Sequence, residues 1–396
     1  MEAIREIEFT QIANDWDSTA LGREHEPPLL LVRNGLTADQ SKESGEFRIT
    51  RIETISDGII DDQKVRWVSG LKPEQVEKYR IRKGDILFSH INSDPHLGKS
   101  AIARMDYSNL LHGMNLLLLK ANPRVLEPEF LHFLFCYYRT KGVFIKICSR
   151  SVNQSSINQA KLKALEIPVP PLAEQRKIAA VLGLVQRAIE QQGRLIALTT
   201  ELKKALLHKL FTEGLRDESR KQTEIGAVPE SWEVRTVGDV CDLTSGGTPS
   251  RRKPEYWNNG RIPWVKTGEI DYCTINDTEE KITNAGLENS SAKIFAAGTL
   301  LMGMYSQGVT RGKVALLGVE AATNQACIAI FPKDVVHTKF LYYWFEYQYE
   351  YVRNLGHGAN QKNLSAEILK GSLIAYPKDQ DQQDTIVTSL TYWIKS

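Results

Sequence analysis

One unit of this chain is written twice, with a period of roughly 210 residues. Trp16-Asp17 and Gly22 answer Trp232-Glu233 and Gly238, and Arg51-Ile52-Glu53-Thr54-Ile55 answers Lys266-Thr267-Gly268-Glu269-Ile270. Lys83-Gly84-Asp85-Ile86-Leu87 lies over Ala297-Gly298-Thr299-Leu300-Leu301, and Gly98-Lys99-Ser100-Ala101 over Gly312-Lys313-Val314-Ala315. Further on, Phe130-Leu131 matches Phe340-Leu341, Asn153-Gln154 matches Asn360-Gln361, and EQRKIAAVL (174–182) matches QQDTIVTSL (382–390). Each copy therefore reads as a globular domain of about 150 residues followed by a helix. Short apolar runs (ILFSHI, LLLLK, VALLGV, CIAIFP), punctuated by Gly, Asn and Pro, predict strands. The aromatic segments 130–138 and 340–349 predict helices packed on them.

The first of the two helices is the clearest element. Residues 172–213 hold no proline and only two glycines. Ile178, Val181, Leu182, Val185, Ile189, Leu195, Ile196, Leu202, Leu206 and Leu210 recur at helical spacing and draw one apolar stripe. Positions 178, 185, 192, 199 and 206 also step by seven like a coiled-coil seam, which Gln192 and Thr199 interrupt. Pro170-Pro171 before it and Gly214 after it mark its ends. The result is a rod of roughly 60 Å, which needs an apolar partner along its length. The second helix starts near Asp381 and offers only about 15 residues, among them Ile386, Leu390 and Trp393. If it ran antiparallel to the first, it would leave one end of the long helix bare. Residues 214–230 are charged, punctuated by Gly and Pro, and read as a linker.

Composition removes several function classes. With 50 basic against 48 acidic residues the net charge is +2, which excludes a uniformly basic coat but allows local patches. Cys136, Cys148, Cys241, Cys273 and Cys327 are scattered without CxxC pairs, so neither a disulfide framework nor a zinc site is indicated. The start, MEAIREIEFTQ, lacks an apolar signal core, and no run reaches the roughly 18 apolar residues of a membrane span. A soluble cytoplasmic protein is expected. SDPHLGKS (93–100) resembles the end of a phosphate-binding loop, but Ser93 replaces its first glycine. The counterpart in the second copy is QGVTRGKV, so a repeated Gly-Lys turn between strands explains both. There is no HExxH, no strand-linked GxGxxG, and no Asn/Asp-Pro-Pro-aromatic tetrapeptide of amino-methyltransferases. No catalytic residues, metal ligands or cofactors are expected.

Polar and basic loops interleaved with aromatics stand out instead. Thr244–Trp264 (TSGGTPSRRKPEYWNNGRIPW) supplies Ser245, Gly246, Gly247, Thr248, Ser250, Arg251, Arg252 and Lys253, followed by Lys266. Glycine allows close approach of backbone to phosphate, Arg forks onto guanine, and Asn or Gln pairs with adenine. Trp257 and Trp264 read more readily as core. A second cluster, 149–158, carries Arg150, Asn153 and Gln154, mirrored at 356–363 by Asn360, Gln361 and Lys362. Its Asn and Ser residues are equally suited to cap the following helix. A third comprises Ser89, His90, Asn92 and Lys99, mirrored by Gln307, Arg311 and Lys313. The acidic run Asp277, Glu279, Glu280 beside Lys281 reads as a solvated face. Three readings stay open on the residues alone: a DNA reader, a DNA-modifying or DNA-cleaving enzyme, and a helical scaffold that binds no DNA.

The stretches TSGGTPSRRKPEYWNNGRIPWVKTGEI, IPVPPLAEQRKIAAVL with its long helix, and LFTEGLRDESRKQTEIGAVPESWE resemble the specificity (S) subunits of Type I restriction-modification systems. The resemblance implies an α+β protein with two pseudo-symmetric target-recognition domains joined by long conserved coiled-coil-type helices, the second of them short. On that pattern 1–168 is the first recognition domain, 169–213 the spacer helix, 214–230 the linker, 231–377 the second domain and 378–396 the second helix. It also implies that each domain reads half of a bipartite site in double-stranded DNA. The helices would dock modification (M) subunits that bring S-adenosylmethionine, and restriction (R) subunits would join the complex. The chain would then supply address and scaffold, with self-association expected when M is absent. Unlike its partner, the first domain enters through HEPPLLLVRNGL and lacks the GGTPS-type loop, so the two domains are expected to read different half-sites.

Overall fold

The computed structural model describes residues 16–23, 28–151, 154–304, 309–355 and 364–395. The chain divides into two compact units, Met1–Gly193 and Arg194–Ser396. In unit 1 an antiparallel sheet runs in the order Leu30–Asn34, Leu117–Ala121, Ile86–Phe88, Ser100–Ile102. Its leucine-rich strands are buried on both faces, which explains runs such as LLLLK without polar alternation. Ile86, Phe88, Leu117 and Leu119 turn toward the aromatic helix Pro128–Thr140, where they join Phe130, Leu131 and Phe135. Leu87, Ala101 and Leu118 turn the other way, into a cluster with Ile55, Ile81 and Leu110. The period of two thus sorts one strand between two cores. A second sheet, Val65–Val68, Phe47–Thr50, Leu110–Leu111, has its last pair parallel.

Unit 2 repeats this order strand for strand. Its first sheet runs Cys241–Ser245, Cys327–Pro332, Leu300–Gly303, Val314–Leu317, with Thr274–Ile275 added at the edge. Its second runs Glu280–Ile282, Ile262–Val265, Ala321–Thr323, Ile294–Phe295, again with one parallel pair. The turn glycines also match: Gly84 and Gly298 sit at φ +88° and +89°, a conformation that favours glycine. Asp17–Ala20 pairs antiparallel with Glu166–Val169, and Glu233–Thr236 pairs with Leu373–Tyr376 in the same way.

The closest correspondence is a buried glutamine in each unit. Gln175 accepts from the Glu127 amide at 2.8 Å and donates to the carbonyls of Val125 and Pro170 at 3.0 and 2.8 Å. Gln383 accepts from the His337 amide at 2.9 Å and donates to Val335 and Pro377, both at 3.0 Å. Each amide group satisfies backbone atoms that would otherwise be orphaned where the helix enters the core. The sequence alignment of 174–182 on 382–390 placed these two residues together without revealing their task.

The helix Leu172–Glu213 is unbroken and ends at Gly214, φ +67°. Its two ends belong to different cores. Ile178 and Ala179 pack into unit 1, and Leu207, Leu210 and Phe211 into unit 2, where Phe211 touches the rings of Trp232, Phe340 and Trp344. Between them Val181, Leu184, Ile189, Leu195, Ile196 and Leu198 are more than half exposed. The expectation of one bare end is therefore corrected: both ends are seated and the apolar middle is open. The shorter helix, Gln380–Lys395, buries Ile386 and Leu390 in the unit 2 core with Leu207 and Leu210. The side chain of Trp393 lies outside the described residues. The stretch read as a plain linker also differs, because Arg220–Thr223 and Gly226–Pro229 form a hairpin that buries Ile225 and Val228. Among the described residues no helix is long and apolar enough to cross a membrane.

Candidate nucleic-acid interface

In unit 1 the second and third sequence clusters come together. Ser149–Ser151 pairs with Gln154–Ser156 as a polar ribbon, and that ribbon adds to Ile91–Asn92 through Ser155 opposite Asn92. Arg150 and Gln154 are exposed on it, and Ser155 hydrogen-bonds to Asp94. Arg150 reaches the other oxygen of Asp94 at 3.5 Å. Asn92 donates to the buried Ser89 hydroxyl at 3.1 Å, so Ser89 is a brace and Asn92 stands at the surface margin. His90 is half-buried, and burial lowers its imidazole pKa to about 4, leaving it neutral at physiological pH. Asn158 caps the helix Gln159–Lys163, as the alternative reading had it, while the ribbon before it stays free for contact. Ser100 opens a strand rather than a helix, which removes the phosphate-loop geometry from SDPHLGKS. Asn153 lies outside the described residues, as do Gln307, Asn360, Gln361 and Lys362 in the second copy.

In unit 2 the loop after Ser245 is held by its own fold. A Cβ on Gly246 would lie 2.0 Å from the Thr323 hydroxyl, and one on Gly247 would lie 2.3 Å from Ser291. Both are buried, and the Gly247 amide donates to the Thr323 carbonyl at 2.9 Å while its carbonyl accepts from the Trp264 indole at 3.0 Å. These glycines serve close packing of backbone on backbone, so the expected approach to phosphate is corrected. Unit 1 has the same device. Gly35, after strand Leu30–Asn34, would place a Cβ 1.9 Å from the Gly113 carbonyl. Asn34-Gly35-Leu36-Thr37 is thus the counterpart of Ser245-Gly246-Gly247-Thr248, and the first domain does carry this entry turn. What it lacks is the Pro-Ser-Arg-Arg-Lys extension.

That extension is arranged on two aromatic rings. The Arg251 guanidinium lies 3.6 Å from the Trp257 ring centre and 2.6 Å from Glu280. Trp264 is buried and Trp257 half-buried against it, edge to face, at 5.0 Å. Lys253 donates to the Tyr256 hydroxyl at 2.9 Å. Lys266 contacts Glu279 and Glu280, and Lys313 contacts Asp271. Burial raises the Glu280 carboxyl pKa, but Arg251 and Lys266 together pull it below its ordinary value. The acidic run is solvated, as expected, and at Glu279 and Glu280 it also partners the cations. Ser250 and Arg252 are exposed, and Arg252 has no ion pair or hydrogen bond among the described residues. Thr248 hydrogen-bonds to Gln325, and Arg311 is buried. Among the described residues no group of His, Cys, Asp or Glu is spaced to hold a metal.

The arrangement is one of presented hydrogen-bonding groups. Oriented Arg251, free Arg252, Ser245 and Ser250 in unit 2, and Arg150, Gln154 and Asn92 in unit 1, are suited to groove edges and phosphates. Comparison with known proteins points the same way. The sequence profile of the Type I restriction modification DNA specificity domain matches residues 32–200 and again 229–395. The chain is 36% identical over 391 residues to a protein of Methanocaldococcus jannaschii described as a type I restriction enzyme MjaX specificity subunit, covering 96% of this chain and 88% of that one. It is 29% identical over 182 residues to the Escherichia coli EcoR124I/EcoR124II specificity subunit, covering 45% of this chain and 43% of that one. Its fold resembles the crystal structure of a Type I restriction-modification S subunit from M. genitalium, with a TM-score of 0.66 over 97% of this chain and 91% of that one, at 15% identity.

Proposed function

Since the chain belongs to the family of Type I restriction-modification DNA specificity subunits, we propose that each of its units reads one half of a bipartite site in double-stranded DNA. The boundaries proposed for that division are 1–168 and 231–377 for the two readers, 169–213 and 378–396 for the helices, and 214–230 between them. In unit 1 the reading groups are Arg150, Asn153, Gln154, Asn92 and Lys99, braced by Ser89 and His90. In unit 2 they are Ser245, Thr248, Ser250, Arg251, Arg252, Lys253, Lys266 and Lys313, braced by the buried Arg311, together with Gln307, Asn360, Gln361 and Lys362. The observation that carries this reading is the occurrence of one two-sheet fold twice along a single unbroken helix, with polar side chains exposed on loops of each copy. The open apolar middle of that helix would take the methyltransferase (M) subunits, and the translocating restriction (R) subunits would join through the complex. The chain has no chemistry of its own in this reading and works in the cytoplasm beside its partners.

Purified chain, alone and co-expressed with its methyltransferase subunit, is the material for the test. It should retain a mixed-sequence duplex at low salt, bind neither S-adenosylmethionine nor ATP alone, and support site-specific adenine methylation only in the complex. Methyl transfer or strand cleavage by the chain alone would refute the reading in favour of an enzyme.

A further inference from the structure

A cleft of about 330 Å³ opens in unit 1 between the Gly98–Ser100 turn, the Ser56–Gly58 turn and the end of the helix Pro128–Thr140. Lys99 and Arg139 supply its positive charge. Lys99 Nζ donates to the Ser56 carbonyl at 2.5 Å, and Arg139 donates to the Pro95 carbonyl at 2.9 Å. Both cations are thus aimed by neutral oxygens, and neither forms an ion pair among the described residues, although Asp57 lies near enough to feel the charge of Lys99. The carboxylate on the rim, Asp57, is occupied by Lys64 at 2.7 Å, whose hydrogen bond holds the acid below its ordinary pKa. Pro95 belongs to the turn Asp94–His96, which the polar ribbon grips from its other side through Ser155 and Arg150. The cleft therefore continues the surface that presents Arg150 and Gln154.

The same place in unit 2 is built differently. Gly312 repeats the Gly98 turn, with φ +84° against +76°. Lys313, in the place of Lys99, is paired with Asp271. The helix position of Cys136, which lines the unit 1 cleft, is Glu346 in unit 2 and pairs with Lys203. Arg353, the nearby arginine, hydrogen-bonds to the Tyr349 hydroxyl and lies on that ring. Lys313, Lys203 and Arg353 are thus each held by a partner there.

We propose that the unit 1 cleft seats one phosphodiester of the bound duplex between Lys99 and Arg139, and that unit 2 has no equivalent seat. Arg presents a planar fork of donors that matches a phosphate's oxygens, and a second cation beside it raises the local potential. This rests on the duplex-reading role proposed above.

The test uses the full chain, in complex with its methyltransferase subunit, and a mixed-sequence duplex of fixed length titrated across a salt series. The paired substitution Lys99→Ala with Arg139→Ala should weaken binding and lower the slope of log affinity against log salt by about one. Arg139→Lys should keep the slope, because it retains the charge even if the bond to Pro95 is lost. Arg353→Ala in unit 2, and Lys141→Ala beside but outside the cleft, should leave it unchanged. An unaltered slope in the paired variant overturns the inference, as does an equal fall for Lys141→Ala, which would mean diffuse charge rather than a seat. If the unsubstituted complex fails to bind the duplex at all, the proposed function falls and this inference with it.

Discussion

The two units share strand order, turn glycines and the buried glutamine, yet they hold the cations at the repeated Gly-Lys turn and the Arg251 loop differently. In unit 2, Arg251, Lys266 and Lys313 are each matched by a carboxylate, and Arg251 is also stacked on Trp257. In unit 1, Lys99 and Arg139 are oriented by backbone carbonyls and form no ion pair among the described residues. A cation fixed by a partner and a ring is ordered before any ligand arrives, which favours directional recognition of base edges. A cation aimed but uncompensated is better used on phosphate, where attraction is strong and carries no sequence information. One fold thus hosts two electrostatic designs, because the loops between strands are free of the packing that fixes the sheets.

Acid should separate the units most. His112 and His132 are buried in unit 1, and burial lowers each imidazole to a pKa of about 4 from the ordinary 6.5. Folded-state values below the unfolded ones mean that the unfolded chain takes up protons first. Stability contributed by the neutral rings is complete above pH 6.5 and is lost as the pH falls toward 4. The loss is of order 3 kcal/mol for each ring. The corresponding helix position in unit 2 is Tyr342, which takes up no proton in this range. Hydrogen exchange read by mass spectrometry should therefore show unit 1 peptides opening before unit 2 peptides as the pH is lowered. Simultaneous opening, or unit 2 first, would break this part of the comparison.

The glutamines test the symmetry itself. Gln175→Ala should cost about 3 kcal/mol by stranding three backbone groups, and Gln383→Ala the same. Urea unfolding followed by hydrogen exchange should localise the first loss to unit 1 and the second to unit 2. A small effect at either position would mean that water replaces the amide and that the match is decorative.

A smaller effect sharpens the electrostatic contrast. Glu279→Gln with Glu280→Gln leaves Arg251 and Lys266 uncompensated and makes unit 2 resemble unit 1. Affinity for a mixed-sequence duplex should rise several-fold, with the salt slope steeper by about one to two. An unchanged slope would show that these carboxylates do not restrain the cations.

How much of this could be read from the sequence follows from the range of the interactions. Gly84 with Gly298, and Phe130-Leu131 with Phe340-Leu341, were legible because turn geometry and core packing demand particular residue types at fixed spacing. The pairing of Arg251 with Glu280 was not, since nothing local links a loop arginine to an acid on a later strand. Gly35 as the counterpart of Gly246 was hidden by the dissimilar residues that follow each turn. The period of the long helix drew a stripe through Ile178 and Leu210, but the helix buries Ala179, Leu207 and Phe211, which lie outside it, and leaves most of the stripe exposed.

The central claim is that each unit reads its own half-site. Methylated positions mapped genome-wide for the reconstituted complex, with and without Arg251→Ala and Arg252→Ala, address it directly. The unsubstituted complex should mark a two-part motif separated by unread bases, and the variant should relax or change one part while leaving the other part and the gap intact. A single continuous motif, or loss of both parts together, would contradict the account.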